Sequence, residues 1–106
     1  MNKELFVSWL ENVKEYKKTT IQDRVSNVKK IALHHGDLDQ HFKKDKGVEL
    51  FELLTYTKQE HRENVACKHD IPINGNLYDG TSSYRQALRL YMEFKKYELK
   101  KNRSNE

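Results

Sequence analysis

The stretch TSSYRQALRLYMEFKKYELK, residues 81–100, predicts a long amphipathic helix. At about 100° per residue its apolar side chains share one broad arc, formed by Tyr84, Ala87, Leu88, Tyr91, Met92, Phe94 and Leu99. We expect Thr81 or Ser82 to cap the first turn. An apolar arc of this width has to be covered by other elements, so the helix is expected to organise the fold.

Two N-terminal segments provide candidates for that cover. The first is predicted to be helical over residues 3–16, with one apolar side formed by Leu5, Phe6, Trp9, Leu10, Val13 and Tyr16. The second is predicted to start at a capping box of Thr20 and Asp23 and to end near His35, where Gly36 supplies a stop. Its narrow apolar face consists of Ile21, Val25, Val28, Ile31 and Ala32.

The middle of the chain is less regular. Short helices are predicted at residues 38–42 and 48–54, where apolar side chains recur over a few positions. A further helix is predicted from Thr57 to about residue 69, because Thr57 and Glu60 have the spacing of a capping box.

The segment IPINGNLYDG, residues 71–80, combines one proline and two glycines with asparagine and aspartate, which is turn chemistry. The long helix behind it needs a packing partner, so this segment is not expected to separate two domains. No alternating apolar run indicates a sheet. We therefore predict one all-α domain over residues 1–99, a bundle of four to five helices, followed by a disordered basic tail at residues 100–106.

Charge is distributed unevenly along the 106 residues, whose net charge is +4. Residues 1–81 contain 13 Lys/Arg and 13 Asp/Glu, whereas residues 82–106 contain 7 and 3. A positive excess on one element favours a polyanionic partner. The single cysteine, Cys67, excludes an internal disulfide, and no apolar run is long enough to span a bilayer. We expect a cytoplasmic protein with no membrane partner.

Four cations of the last helix fall within about 60° of one another on its circumference. They are Arg85, Arg89, Lys96 and Lys100, which we call the basic stripe; Lys101 and Arg103 follow it. Such a stripe can neutralise backbone phosphates. It can equally be a solvated helix face, with Glu93 and Glu98 close enough to pair with it. The lysines that could extend this surface are Lys17, Lys18, Lys29 and Lys30.

The sequence gives little indication of metal binding or catalysis. His61, Cys67 and His69 lie near one another in sequence, but neither a CxxC nor an HExxH spacing is present. The adjacent pair His34 and His35 diverge on a helix. No nucleophile elbow or phosphate-binding glycine loop occurs, and the paired carboxylates Asp37 and Asp39, or Glu49 and Glu52, have the pattern of solvated charges. We expect no catalytic residue, no metal ligand and no cofactor.

Two stretches carry a resemblance to a known family. Residues 4–36, ELFVSWLENVKEYKKTTIQDRVSNVKKIALHHG, and residues 82–97, SSYRQALRLYMEFKKY, together resemble the N-terminal core-binding domain of phage integrases and related tyrosine recombinases. The matching positions are Phe6, Trp9, Leu10, Thr20 and Ile21, with Arg24 or Val25 where the family favours an aromatic or aliphatic residue. The resemblance implies a small SAM-like bundle.

The segment NLYDGTSSYRQALRLYMEF, residues 76–94, is also similar to the end of helical modules in bacterial restriction and phage-defence proteins. Their G-x-x-S-Y-x-x-A-L-x-x-Y-x-x-F pattern is matched by Gly80, Ser83, Tyr84, Ala87, Leu88, Tyr91 and Phe94. The two resemblances cover about half of the chain, without the recombinase catalytic domain. They imply a DNA-clamping module detached from its enzyme, or a small phage or mobile-element protein.

These observations favour a non-catalytic protein that binds DNA, expected to be duplex, through Arg85, Arg89, Lys96, Lys100 and Arg103. Contacts from such residues are expected to fall mainly on phosphates. The alternative is a protein-interaction module that modulates a host replication, transcription or defence protein. Leu90 and Tyr97, which lie off the apolar arc, are the residues expected to form that docking patch.

Overall fold

The computed structural model describes residues 2–104, with side chains through Lys101. It contains six helices: α1 (Lys3–Asn12), α2 (Lys18–His35), α3 (Leu38–Asp45), α4 (Val48–Leu53), α5 (Lys58–Arg62) and α6 (Leu77–Ser104). No strand occurs between residues 2 and 104. The prediction of a small all-α bundle is confirmed.

Helix α6 is the axis of the bundle and packs against α1, α2, α3 and α5. Its predicted apolar arc is buried as far as Phe94, whereas Leu99 is half exposed. Phe6 of α1 packs on this arc, with its ring edge-on to Tyr91 at 5.1 Å between centroids and tilted against Phe94 at 5.4 Å. Full burial of each such side chain stabilises the fold by about 1.5–3 kcal/mol.

The prediction that the first helix reaches Tyr16 is wrong, because α1 ends at Asn12. Glu15 takes a left-handed conformation with φ 56°, and the Tyr16 N–H donates to the Leu10 carbonyl at 3.1 Å. This turn redirects the chain into α2 and leaves Val13 half exposed.

Helix α2 begins at Lys18, two residues before the predicted start. Thr20 and Asp23 therefore lie inside the helix, and the residue that precedes it, Lys17, makes no side-chain capping bond. The predicted end is confirmed: the helix stops at His35, and Gly36 follows with φ 94°.

The capping box that starts α5 is confirmed, with the Thr57 hydroxyl accepting from the Glu60 N–H and the Glu60 carboxylate accepting from the Thr57 N–H, both at 3.1 Å. The predicted extension to residue 69 is wrong, because α5 ends at Arg62. Asn64 adopts φ 58°, its N–H donates to His61 and the next N–H donates to Glu60. This is a Schellman closure, in which asparagine substitutes for the usual glycine.

Helix α6 starts at Leu77, earlier than the predicted cap at Thr81 or Ser82, because the Asn76 side chain accepts from the Asp79 N–H at 3.0 Å. Gly80 therefore lies within the first turns of the helix. At its other end α6 continues to Ser104, through the start of the segment predicted to be a disordered tail. The last two positions of that segment, 105 and 106, lie outside the described residues.

Within the described chain, no helix combines the length and the apolar character that crossing a bilayer requires.

Candidate nucleic-acid interface

The side chains of the basic stripe, Arg85, Arg89, Lys96 and Lys100, are all exposed. They belong to one unbroken helix, so at 1.5 Å per residue the stripe spans about 22 Å along the α6 axis. The apolar arc, buried against the rest of the bundle, holds this helix in place. A rigid scaffold therefore presents the four cations to solvent from one side of α6.

The acidic residues that could have neutralised the stripe are engaged elsewhere. Glu93 pairs with Lys14, beyond the end of α1, at 2.8 Å. Glu98 pairs with Lys95 at 3.2 Å, and Lys95 also lies 3.7 Å from Asp39 on α3. The ion pairs of Glu93 and Glu98 are therefore made with Lys14 and Lys95 and not with Arg85, Arg89 or Lys96.

Three of the stripe cations lack a carboxylate partner. Among the side chains that the structure describes, Arg85, Arg89 and Lys96 form no ion pair. Exposed and unpaired cations on one helix face produce an uncompensated positive potential. That potential can attract polyanions, and it weakens as salt screens it.

A shallow recess of about 260 Å³ lies beside the N-terminal half of the stripe. Arg85 and Arg89 line it together with Ser82, Gln86 and Phe51 of α4. The Arg89 guanidinium donates to the Gln86 side-chain oxygen, which orients it along the helix. Two guanidinium groups, a hydroxyl and an aromatic edge can together accommodate a phosphate and its sugar. Phe51 was not predicted as part of this surface, because only tertiary packing brings α4 beside α6.

The structure does not bring the other lysines to the stripe. Lys18 and Lys29 line a groove of about 760 Å³ between α1 and α2. Lys30 lines a separate cleft between α2 and the start of α6. Lys101 lies in a recess with Trp9. Lys17 is exposed immediately before α2.

The side chain of Arg103, predicted to contact nucleic acid, lies outside the described part of the chain, although its backbone continues α6.

The structure places different residues in the protein-docking patch than the sequence predicted. Leu90 is only 2% exposed, so its assignment to an exposed patch is wrong: neighbouring helices cover more of the α6 circumference than the predicted arc. Tyr97 is 41% exposed, and its ring lies 6.3 Å from that of Trp9. Both line a recess of about 360 Å³ with Leu5 and Val13, which are 50% and 49% exposed.

Among the histidines considered as metal ligands, His69 has both ring nitrogens in hydrogen-bonding contacts. His69 is buried; its Nδ1 accepts from the Ile71 N–H at 3.1 Å and its Nε2 lies 2.8 Å from the Thr81 hydroxyl. The Cys67 thiol lies 3.8 Å from the His69 carbonyl oxygen, to which it can donate. The contact between His69 and Thr81 holds the segment before α6 against that helix.

Comparison with known proteins gives no match to a family model, to a curated protein or to a solved structure. The likeness to integrase core-binding domains therefore stays an expectation based on the sequence pattern. The charge, exposure and packing of the described residues carry the functional proposal.

Proposed function

We propose that this protein binds duplex DNA without catalysing a reaction, and that the basic stripe contacts the phosphate backbone. One observation carries the proposal: the stripe is exposed and three of its cations form no ion pair among the described side chains, whereas Glu93 and Glu98 of α6 pair with Lys14 and Lys95. Binding to phosphates would release condensed counterions, which favours association at low salt.

Phosphate contacts position a protein on a duplex but do not specify sequence. The stripe offers long flexible cations on a surface of the bundle, which suits this mode of binding. The resemblance to integrase core-binding domains is a further, sequence-based support, and from it we propose a SAM-like arrangement and an origin in a phage or mobile element.

Fluorescence anisotropy of a labelled random-sequence duplex tests the proposal. The double variant Arg85→Ala and Arg89→Ala should bind about tenfold or more weakly, since each phosphate contact of this kind contributes about 1 kcal/mol or more. The double variant Lys18→Ala and Lys29→Ala removes the same charge from the α1–α2 groove and should bind like the parent protein. Equal weakening in both variants would assign binding to net charge and contradict the stripe.

A second candidate function is protein docking at the recess that Trp9 and Tyr97 line. The favouring observation is an exposed apolar rim beside a donor without a partner: the Trp9 Nε1 is buried and unbonded among the described residues. The partner would be a protein segment that inserts an apolar side chain into this recess. Binding of that kind should tolerate salt and should be lost in Tyr97→Ser, with duplex binding unchanged.

A further inference from the structure

A polar cleft of about 590 Å³ lies on α2, opposite the turn before α6 and the first turns of that helix. Arg24, Asn27 and Lys30 of α2 form one wall, and Asn74 and Ser83 lie across from them. This volume falls within the range of small-molecule sites, about 300–1,000 Å³, but the lining is more polar than such sites usually are. The cleft is therefore suited to a small polar molecule.

Arg24 is the central residue of this cleft, because the Nε–H of its guanidinium has no hydrogen-bond acceptor among the described residues. The side chain is partly buried, and its Nε is shielded from solvent with no hydrogen-bond partner among the described residues. No ion pair to Arg24 is formed in that part of the chain either. A shielded donor left unbonded destabilises the protein, and more so when the group is charged. A small rotation of the Arg24 side chain would turn this donor toward an oxyanion in the cleft and give it an acceptor.

The remaining polar groups of the cleft indicate which kind of oxyanion it would bind. Lys30 adds a second cation, and Ser83 can donate through its hydroxyl. Guanidinium, ammonium and hydroxyl donors that line one cleft suit the several acceptor oxygens of phosphate. Asp23, on the same cleft, is an acceptor that would repel a bare anion but can bind hydroxyl groups of a larger ligand. The set matches a phosphate ester that also carries hydroxyls.

The wall opposite α2 is held by close packing. A Cβ on Gly80 would lie 2.6 Å from Cγ2 of Ile73, so only glycine lets the turn approach α6 this closely. Tyr84 is buried, with its ring edge-on to His69 at 6.4 Å. Gly80, Ser83 and Tyr84 are the G-x-x-S-Y positions of the sequence pattern, and all three line the cleft. These residues of the pattern therefore shape one wall of the cleft.

We infer that this cleft binds the phosphate monoester of a small hydroxylated molecule, such as a sugar phosphate, with Arg24 and Lys30 on the phosphate and Asp23 on the hydroxyls. None of these residues belongs to the basic stripe. The site is therefore independent of the proposed duplex binding.

Titration of the full chain with ribose 5-phosphate, inorganic phosphate and ribose tests the site, followed through the arginine Nε–H signals in nitrogen-15 NMR spectra. The Arg24 signal should shift saturably with ribose 5-phosphate, more weakly with phosphate and not with ribose. The Nε–H signal of Arg62, an exposed residue outside both the cleft and the basic stripe, serves as the reference in the same spectra. Parallel, unsaturable shifts of Arg24 and Arg62 would show nonspecific ion binding and overturn the inference.

Two variants sharpen the test. Arg24→Lys keeps the charge but removes the Nε donor and should weaken ribose 5-phosphate binding about tenfold, measured by calorimetry. Lys30→Gln changes an exposed residue and should weaken it several-fold without affecting the melting temperature. The double variant Lys18→Ala with Lys29→Ala, which changes residues of a different groove, should bind ribose 5-phosphate like the parent. Unchanged affinity in both cleft variants, or loss of duplex binding in Arg24→Lys, would contradict a separate small-molecule site.

Discussion

The hydroxyl of Tyr91 donates a hydrogen bond to the carboxylate of Asp39 at 2.5 Å and so links the centre of α6 to α3. Burial raises the pKa of Tyr91, and the adjacent carboxylate raises it further. Partial burial alone would raise the pKa of Asp39, but the Tyr91 hydrogen bond and nearby positive charge, including Lys95, outweigh it and lower that pKa. The carboxylate of Asp39 also lies 3.7 Å from the Lys95 ammonium, which holds Lys95 beside α3 and away from the basic stripe.

Tyr91→Phe should lower the free energy of unfolding by about 1–2 kcal/mol, because it removes one hydrogen bond from the partly buried carboxylate of Asp39. The lowered pKa of Asp39 means that this stabilisation is present near neutral pH and is lost as pH falls through that pKa. The difference between Tyr91→Phe and the parent in urea unfolding should therefore shrink in acid. Tyr97→Phe, which alters a half-exposed ring, is the matched control. Equal stability of Tyr91→Phe and the parent at pH 7 would contradict the assignment.

Acid should destabilise the fold through His69. Burial lowers the pKa of this residue, as does the nearby His35, against the opposing effect of Asp70. Below about pH 6.5 the unfolded chain takes up a proton that folded His69 resists, so stability falls as pH decreases, by at most about 1.4 kcal/mol per pH unit for one group. Urea midpoints between pH 7.5 and 5 should drop in the parent and less in His69→Gln.

His35, whose pKa burial also lowers, contributes in the same direction, so the His69→Gln curve should flatten without becoming level. A His69→Gln curve parallel to that of the parent would show that His69 is not the group that senses pH.

Gly80→Ala should destabilise the protein by about 1–3 kcal/mol, because the new methyl group would lie 2.6 Å from Ile73. Adding Ile73→Ala should recover part of the loss by removing the clashing atoms, which thermal unfolding of the single and double variants would measure. If the two substitutions are simply additive, the close contact does not cause the effect.

The apolar arc of α6 and the capping box at Thr57 and Glu60 were predictable because both are local patterns of spacing. The ends of the helices were less predictable from the sequence. Asn64 closes α5 by adopting a left-handed conformation, and nothing in its immediate sequence distinguishes it from a helical asparagine. The early start of α6 at Leu77 was obscured by Gly80, which is typical of a turn but is required inside the helix by the contact with Ile73.

The candidate sites depended on packing to different degrees. The exposure of the basic stripe followed from the helical period, but the absence of carboxylate partners at Arg85, Arg89 and Lys96, among the described side chains, depends in part on Glu93 pairing with Lys14 across the bundle. Leu90 was misjudged because a single helix does not reveal how far its neighbours wrap around it. The cleft at Arg24 joins residues about 50 to 60 positions apart in sequence, which no local pattern announces.

The salt dependence of duplex binding tests the central claim most directly. For the parent protein, the logarithm of the association constant should fall linearly with the logarithm of salt concentration, with a slope of about −0.9 per phosphate contacted. In Arg85→Ala with Arg89→Ala the slope should become shallower by about two contacts, and in Lys18→Ala with Lys29→Ala it should not change. A stripe variant with the affinity and the salt slope of the parent would contradict DNA binding through the basic stripe.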